Sequence, residues 1–239
     1  MKEFISKKIK KKTLLELKKL LRNHVYNDNF AGSRSRRVDT FPDLRKNISF
    51  CLNLENLLKE DIYLMLPKKY QRNASLQFPM NIRFFNPTNE LLKHNYSTDN
   101  IHTDVWSGAP LRSKQFILYV YADRNSSYCR MFRSVERKRK YSNFRGKYQN
   151  IKINKKDLNE IKYKIEDGRF ISFDSMCPHY TYYSKKTKHF RLSIDFRVKF
   201  GNPYEINNKR ITRKKFVESK IGQPGWGYYW KLSNKKFKN

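Results

Sequence analysis

The sequence predicts a mainly β protein with flanking helices. Three observations predict it. Apolar residues in the first quarter recur at helical spacing, from Leu76 onwards they recur at every second position, and turn-forming residues punctuate the later stretch. Helices followed by strands imply a sheet core with helices laid on it. The expected organisation is an N-terminal helical support region over 1–75, a core over 76–200 with a basic insert at about 123–164, and a basic C-terminal tail over 201–239.

Each element has its own signal. Leu14, Leu17, Leu20, Leu21 and Val25 share one helical face, so the first 25 or so residues contain an amphipathic helix. Packing of that helix on a sheet is preferred over binding a membrane surface. The stretch "AGSRSRRVDTFPD", 31–43, reads as a loop. Asn53 is the expected N-cap of a second helix, with Leu54, Leu57, Leu58, Ile62, Met65 and Leu66 as its stripe and Pro67 as its stop. In "LQFPMNIRFF", Met80, Ile82 and Phe84 alternate with Asn81, Arg83 and Phe85, which predicts a strand. Pro79 lacks an N–H and points to an edge or a bulge there. "QFILYVY", Gln115 to Tyr121, predicts another strand. Asp167-Gly168 is a turn signal before "RFISFDSM", and "FRLSIDFRVKF" alternates over its whole length. No internal repeat is present.

Composition excludes some classes. No apolar run approaches the roughly 18 residues of a membrane helix, so no transmembrane segment is expected. The basic residues of the N-terminus interleave with apolar ones, unlike a secretory signal. Cys51, Cys129 and Cys177 show no CxxC spacing, so a disulfide framework is not expected and a reducing, cytoplasmic setting is. The formal net charge is +32. It suits an anionic partner such as nucleic acid. The competing reading is compositional drift, because the chain is crowded with Lys, Asn, Ile and Tyr and its basic residues are spread over the whole length.

The residues that carry chemistry begin with "NIHTDVWSGAP", Asn100 to Pro110. Side chains two apart on an extended segment point the same way, so His102 and Asp104 can converge on one ion. A third ligand of the histidine type must come from His24, His94, His179 or His189. His179 stands directly after the strand "RFISFDSM", where a sheet-borne metal site needs a histidine. Arg191 follows at 191 − 179 = 12 positions, and Ser193, Asp195 and Arg197 share its face. Phe190, Leu192, Ile194, Phe196 and Val198 occupy the other face. That strand is either half-exposed with its polar side to water, or the polar side lines a cavity. Cys177, two before His179, leaves a zinc site of one Cys, two His and one Asp as an alternative.

The combination of HxD, a distant His, and Arg-x-Ser on the following strand resembles the Fe(II)/2-oxoglutarate-dependent oxygenases. The likeness spans about Leu76 to Phe200. It implies a double-stranded β-helix, the cupin-like jelly roll, holding iron by two histidines and one carboxylate with one side of the octahedron open. Carried over, His102, Asp104 and His179 would be the iron ligands. Arg191 would grip the far carboxylate of 2-oxoglutarate with a planar two-pronged donor, and the Ser193 hydroxyl would lie beside it. Asn81, Arg83 and Gln115 could touch co-substrate or substrate from inward strand positions, and Trp106 could wall the substrate pocket. "IHTDVWSGAP" and "SIDFRV" resemble most the subgroup found among carbohydrate and surface-polysaccharide biosynthesis genes, related to an enzyme of streptomycin assembly. Tyr180 stands where many members carry Gly.

The resemblance implies a dioxygenase that uses Fe(II), 2-oxoglutarate and dioxygen to oxidise a small-molecule carbohydrate or nucleotide-linked sugar. The basic insert, with Arg137, Lys138, Arg139 and Lys140, would then act at most as a lid or as a cradle for a diphosphate. One alternative is the same chemistry on nucleic acid or a nucleic-acid-associated protein. Another is a non-catalytic jelly-roll binding protein.

Overall fold

A computed structural model of the chain describes residues 4–25, 44, 47–85, 101–107, 109, 112–122, 127–134, 158–183, 190–200 and 229–231. Along these run β1 (Phe4–Lys8), α1 (Lys11–Val25), α2 (Ile48–Met65), α3 (Lys68–Gln71), β2 (Ala74–Gln77), β3 (Asn81–Phe85), a 3-10 turn (Asp104–Ser107), β4 (Ser113–Tyr121), β5 (Ser127–Ser134), β6 (Leu158–Ile161), β7 (Arg169–Asp174), β8 (His179–Tyr183), β9 (Arg191–Phe200) and β10 (Tyr229–Lys231). The strands form two antiparallel sheets. The larger has the order β1-β7-β4-β9-β2-β10, with β3 also paired to β9, and the smaller has the order β6-β5-β8. The chain shuttles between them. β4 lies in the larger sheet, β5 and β6 in the smaller, β7 in the larger, β8 in the smaller, and β9 returns to the larger.

Alternation decides what each face meets. On β9, Leu192, Ile194, Phe196, Val198 and Phe200 join Phe116, Leu118 and Val120 of β4 in a core closed by Leu17 and Leu21 of α1 and Leu54, Leu58 and Ile62 of α2. Phe116 and Phe196, paired in register, stack at 5.3 Å. Burial of each such side chain is worth about 1.5–3 kcal/mol. Thus α1 spends its apolar stripe on the sheet rather than on a membrane. A second cluster, Tyr119, Cys129, Met131, Ile161, Ile171, Phe173 and Cys177, joins the two sheets. The polar face of β9 is also buried, so the half-exposed alternative is excluded. Arg191, Ser193, Asp195, Arg197 and Lys199 are each at most 5% exposed.

Several elements differ from the sequence expectation. The second helix starts at Ile48, and its N-cap is Asn47, whose side chain accepts from the Phe50 N–H at 3.0 Å. Asn53 lies inside the helix on its exposed side; the buried residues Phe50, Cys51 and Leu52 extend the apolar face N-terminally. The N-terminal region is not purely helical, because β1 forms an edge of the larger sheet against β7. Two strands of the smaller sheet, β5 and β6, fall within the stretch read as a basic insert. Their signal is masked because Arg130 and Glu160 stand on the face opposite Cys129, Met131 and Ile161, and the exposed Arg133 interrupts the apolar face. β10 within the basic tail pairs with β2.

Two turns match their sequence signals. Pro79 splits the expected strand into β2 and β3, and both flank β9. Gly168 has φ of 77°, a left-handed conformation that suits glycine. A Cβ there would lie 3.1 Å from Leu14 Cδ2. Its N–H donates to the Tyr119 carbonyl at 2.7 Å, and its carbonyl accepts from the Ile9 N–H at 3.0 Å. The turn therefore ties β4 to the start of α1. All three cysteines are buried thiols outside any disulfide. No described helix is long and apolar enough to cross a membrane. The expected loop at 31–43 lies outside the described residues.

Candidate metal centre

The site is built by backbone pairing. His102 and His179 form an isolated antiparallel bridge and exchange both of their main-chain hydrogen bonds, at 2.9 and 2.8 Å. Residues directly opposite in such a pair present side chains on the same face. The two rings accordingly lie 4.5 Å apart, centroid to centroid. Two residues on, Asp104 opens the 3-10 turn instead of continuing an extended segment. The turn is pinned by Val105 N–H to the Ser175 carbonyl and by Ala109 N–H to the Asp104 carbonyl. The expected convergence of His102 with Asp104 is thus met by a tighter backbone than the one assumed. One ligand atom from each of His102, Asp104 and His179 lies within 4.8 Å of the others, and all three residues are buried.

The donor set fits a divalent metal. The Nδ1 of His179 lies 2.9 Å from the Cys177 carbonyl. A carbonyl only accepts, so Nδ1 carries the proton and the Nε2 lone pair is left for a metal. That Nε2 is 3.8 Å from Asp104 Oδ1. Burial pushes the pKa of His179 below the ordinary histidine value, against the pull of Asp104, which keeps the ring neutral and ligand-ready. For Asp104, burial alone would raise the pKa, but Arg197, His179 and His102 more than reverse it, so the carboxylate stays ionised. Oδ1 of Asp104 accepts from Arg197 Nη2 at 2.9 Å. Oδ2 is buried and has no hydrogen-bond partner among the described residues. An ionised oxygen so placed costs several times an ordinary hydrogen bond unless something positive meets it. Two imidazoles and one carboxylate are the donor set of non-heme Fe(II) centres.

The remaining expected residues fall in three places. Arg191 opens β9, is buried, and donates from Nη1 to Ser127 Oγ of β5 at 2.9 Å. Ser193 is buried on the same face, opposite Tyr119 and Arg83 in register. Arg83 and Gln115 converge on Asp195: Arg83 Nε and Nη2 at 2.5 and 3.1 Å, and Gln115 Nε2 at 3.3 Å. Asn81 pairs with Asp195 in register. Trp106 lies in the 3-10 turn, but its side chain lies outside the description, as do Arg137, Lys138, Arg139 and Lys140. The side chains of His24, His94 and His189 are likewise outside it. Cys177 is not part of the ligand group. Its thiol turns to the Phe132 carbonyl at 3.3 Å, and its own carbonyl orients His179, which removes the basis for the zinc alternative.

Sequence reasoning missed Gln77 and Ser127. Gln77 Oε1 accepts from the Arg197 main-chain N–H at 3.1 Å and faces Arg197 Nη1 at 3.4 Å. Neither residue sits in a motif. The available signal was Arg197 itself, which alternation had placed on the polar face with Arg191.

No family model matches the chain, and no curated protein matches it. Solved structures do. The non-heme α-ketoglutarate-dependent epimerase SnoN from nogalamycin biosynthesis is 9% identical, with a TM-score of 0.51 over 93% of this chain and 87% of that one. AviO1 from Streptomyces viridochromogenes is 8% identical, with a TM-score of 0.54 over 84% of this chain and 92% of that one. The non-heme α-ketoglutarate-dependent carbocyclase SnoK, also from nogalamycin biosynthesis, is 9% identical, with a TM-score of 0.50 over 83% and 80%. At these identities the likeness concerns the fold.

Proposed function

We propose that this chain is an Fe(II)/2-oxoglutarate-dependent oxygenase with a double-stranded β-helix core. The observation that carries the reading is the buried His102, Asp104 and His179 group, with a metal-ready Nε2 on His179 and a carboxylate oxygen on Asp104 that has no hydrogen-bond partner among the described residues. The alternation of the chain between two antiparallel sheets supports the β-helix, and the fold shared with SnoN and SnoK supports the class. Bound to the three ligands, Fe(II) would supply oxidation by dioxygen coupled to decarboxylation of 2-oxoglutarate.

The protein's own residues bind and orient. Arg191 is the proposed anchor for the far carboxylate, with Ser193 beside it. Ser127, which holds the Arg191 guanidinium, lies 131 − 127 = 4 residues along β5 from Met131, the register partner of His179. Four residues are about 13 Å of extended strand, a span that a chelating five-carbon diacid and a guanidinium fill between them. Arg83 and Gln115 act through Asp195, and Tyr119 lies opposite Ser193 in register.

The proposed substrate is a carbohydrate or nucleotide-linked sugar. The resemblance of "IHTDVWSGAP" and "SIDFRV" supports this. SnoN is an epimerase and SnoK a carbocyclase, so the fold alone does not choose between hydroxylation and another oxidation. Three buried thiols outside any disulfide suit the proposed cytoplasmic setting. The test is succinate release from 2-oxoglutarate across sugar nucleotides, free sugars and oligonucleotides. Stimulation by a sugar class supports the reading. Stimulation by oligonucleotides alone moves the substrate to nucleic acid, and 2-oxoglutarate turnover with none of them, under Fe(II) and dioxygen, leaves the sugar class unsupported.

A further inference from the structure

The larger sheet is interrupted where it passes the metal centre. β2 pairs with β9 through Leu76 and Val198, and β3 resumes at Asn81 and Asp195. Between these levels the stretch from Gln77 to Met80, which contains Pro79, leaves β9 without a ladder partner on that side among the described residues. Arg197 lies in this gap. A buried main-chain N–H needs an acceptor, and here the acceptor is a side chain, Gln77 Oε1, at 3.1 Å. The same oxygen faces Arg197 Nη1 at 3.4 Å. An amide nitrogen could accept from neither donor, so the orientation of the Gln77 amide is fixed by its partners. The other end of the guanidinium donates to Asp104 Oδ1 at 2.9 Å. Gln77, Arg197 and Asp104 are all at most 4% exposed.

We infer that Gln77 is a positioning residue for the metal centre. By holding both the backbone and the guanidinium of Arg197, it fixes the orientation of the Asp104 carboxylate, whose Oδ1 accepts from Arg197 and stands 3.8 Å from the Nε2 of His179. This rests on the proposed metal centre and adds a residue that touches neither metal nor substrate. A partner of a ligating carboxylate commonly sets metal affinity by ten-fold or more. Gln77 is neutral, so its removal changes orientation without changing the charge around the site.

The experiment is Co(II) titration of the purified full chain, read by the ligand-field spectrum and by affinity, with a thermal melt on each variant. Gln77→Met keeps length and removes the acceptor. It is expected to weaken Co(II) binding roughly ten-fold and to shift the ligand-field bands, because Asp104 is then free to turn. Gln77→Glu keeps an acceptor at the same reach and is expected to restore the wild-type spectrum. Should Gln77→Met fail to fold, Gln77→Asn, which keeps the amide but shortens the reach, carries the same comparison. Wild-type affinity and bands in the folded variant overturn the inference, whether or not the melting temperature falls. Failure of the wild-type chain to bind Co(II) overturns the metal centre itself, and this inference with it.

Discussion

At the scale of single residues, the site depends on which atoms are already committed. Arg191 offers a fork of donors where lysine offers a point charge. Arg191→Lys is therefore expected to weaken 2-oxoglutarate binding at least ten-fold, since a charged hydrogen bond of about 1.5–3 kcal/mol is at stake, while Co(II) affinity stays within about two-fold. Calorimetry of both ligands checks this, and unchanged co-substrate affinity removes Arg191 from the role. Tyr119 carries a different burden. Its Oη accepts from the Cys129 N–H at 3.0 Å and bonds Tyr163 at 2.9 Å, and Tyr163 donates to the Cys129 carbonyl at 2.7 Å. The directions close a ring, with Tyr119 donating to Tyr163. Burial pushes the Tyr119 pKa up to about 12, so the phenol stays protonated. Tyr119→Phe takes the acceptor from a buried N–H and is expected to cost about 1–3 kcal/mol. Urea unfolding would show a lower midpoint at the same slope; an unmoved midpoint contradicts the ring.

At the scale of elements, the turn before β7 ties strands together by charge. Glu166 pairs with Lys164 at 2.9 Å, with Lys8 of β1 at 3.3 Å, and with Arg169 of β7. Lys164 and the other partners lower its pKa to about 2, from an ordinary 4.5. The folded-state value is depressed, so the stabilisation is present above pH 4.5 and is lost as pH falls towards 2. Glu166→Gln should lower the urea midpoint at pH 7, and the gap to wild type should narrow as the pH falls through that window. The effect is small, because exposed pairs contribute little each. A gap that is constant from pH 7 to 2.5 would count against the linkage.

Legibility in the sequence also divides by element. β4 and β7 were readable as apolar runs because their two faces enter two different cores, and β9 was readable because its apolar face alternates with a buried polar one. β5 and β6 were not, because the outer face of the smaller sheet carries Arg130 ion-paired to Glu160 and set among Tyr128, Phe132, Tyr180 and Tyr182, which blurs the period. β1 was hidden by its five residues and by the basic helix that follows it. The candidate metal group was legible because its three residue types are few and its motif is local. Gln77 and Ser127 were not, because each acquires its role only from a strand brought alongside by the fold.

At the scale of the whole molecule, surface charge and buried site make separate demands. The chain carries 53 basic and 21 acidic side chains. If that excess is compositional, nucleic-acid binding should be indifferent to sequence and should fall steeply between low and moderate salt, as counterion release requires. Turnover of a sugar substrate should persist over the same range, since short-range contacts at a buried site are little screened. Joint neutralisation of Arg137, Lys138, Arg139 and Lys140 that lowers turnover of a sugar nucleotide, but not of its diphosphate-free analogue, would support a diphosphate cradle. Oligonucleotide-stimulated consumption of 2-oxoglutarate that these changes abolish would replace the carbohydrate substrate by nucleic acid. The measurement that bears most directly on the centre itself is anaerobic titration of the apoprotein with Fe(II) in the presence of 2-oxoglutarate. A weak visible charge-transfer band should appear only with both ligands, saturate at one Fe(II) per chain, and be lost in Asp104→Ala and in His179→Ala. Absence of the band in the wild-type chain, or its survival in either folded variant, would contradict a metal held by His102, Asp104 and His179.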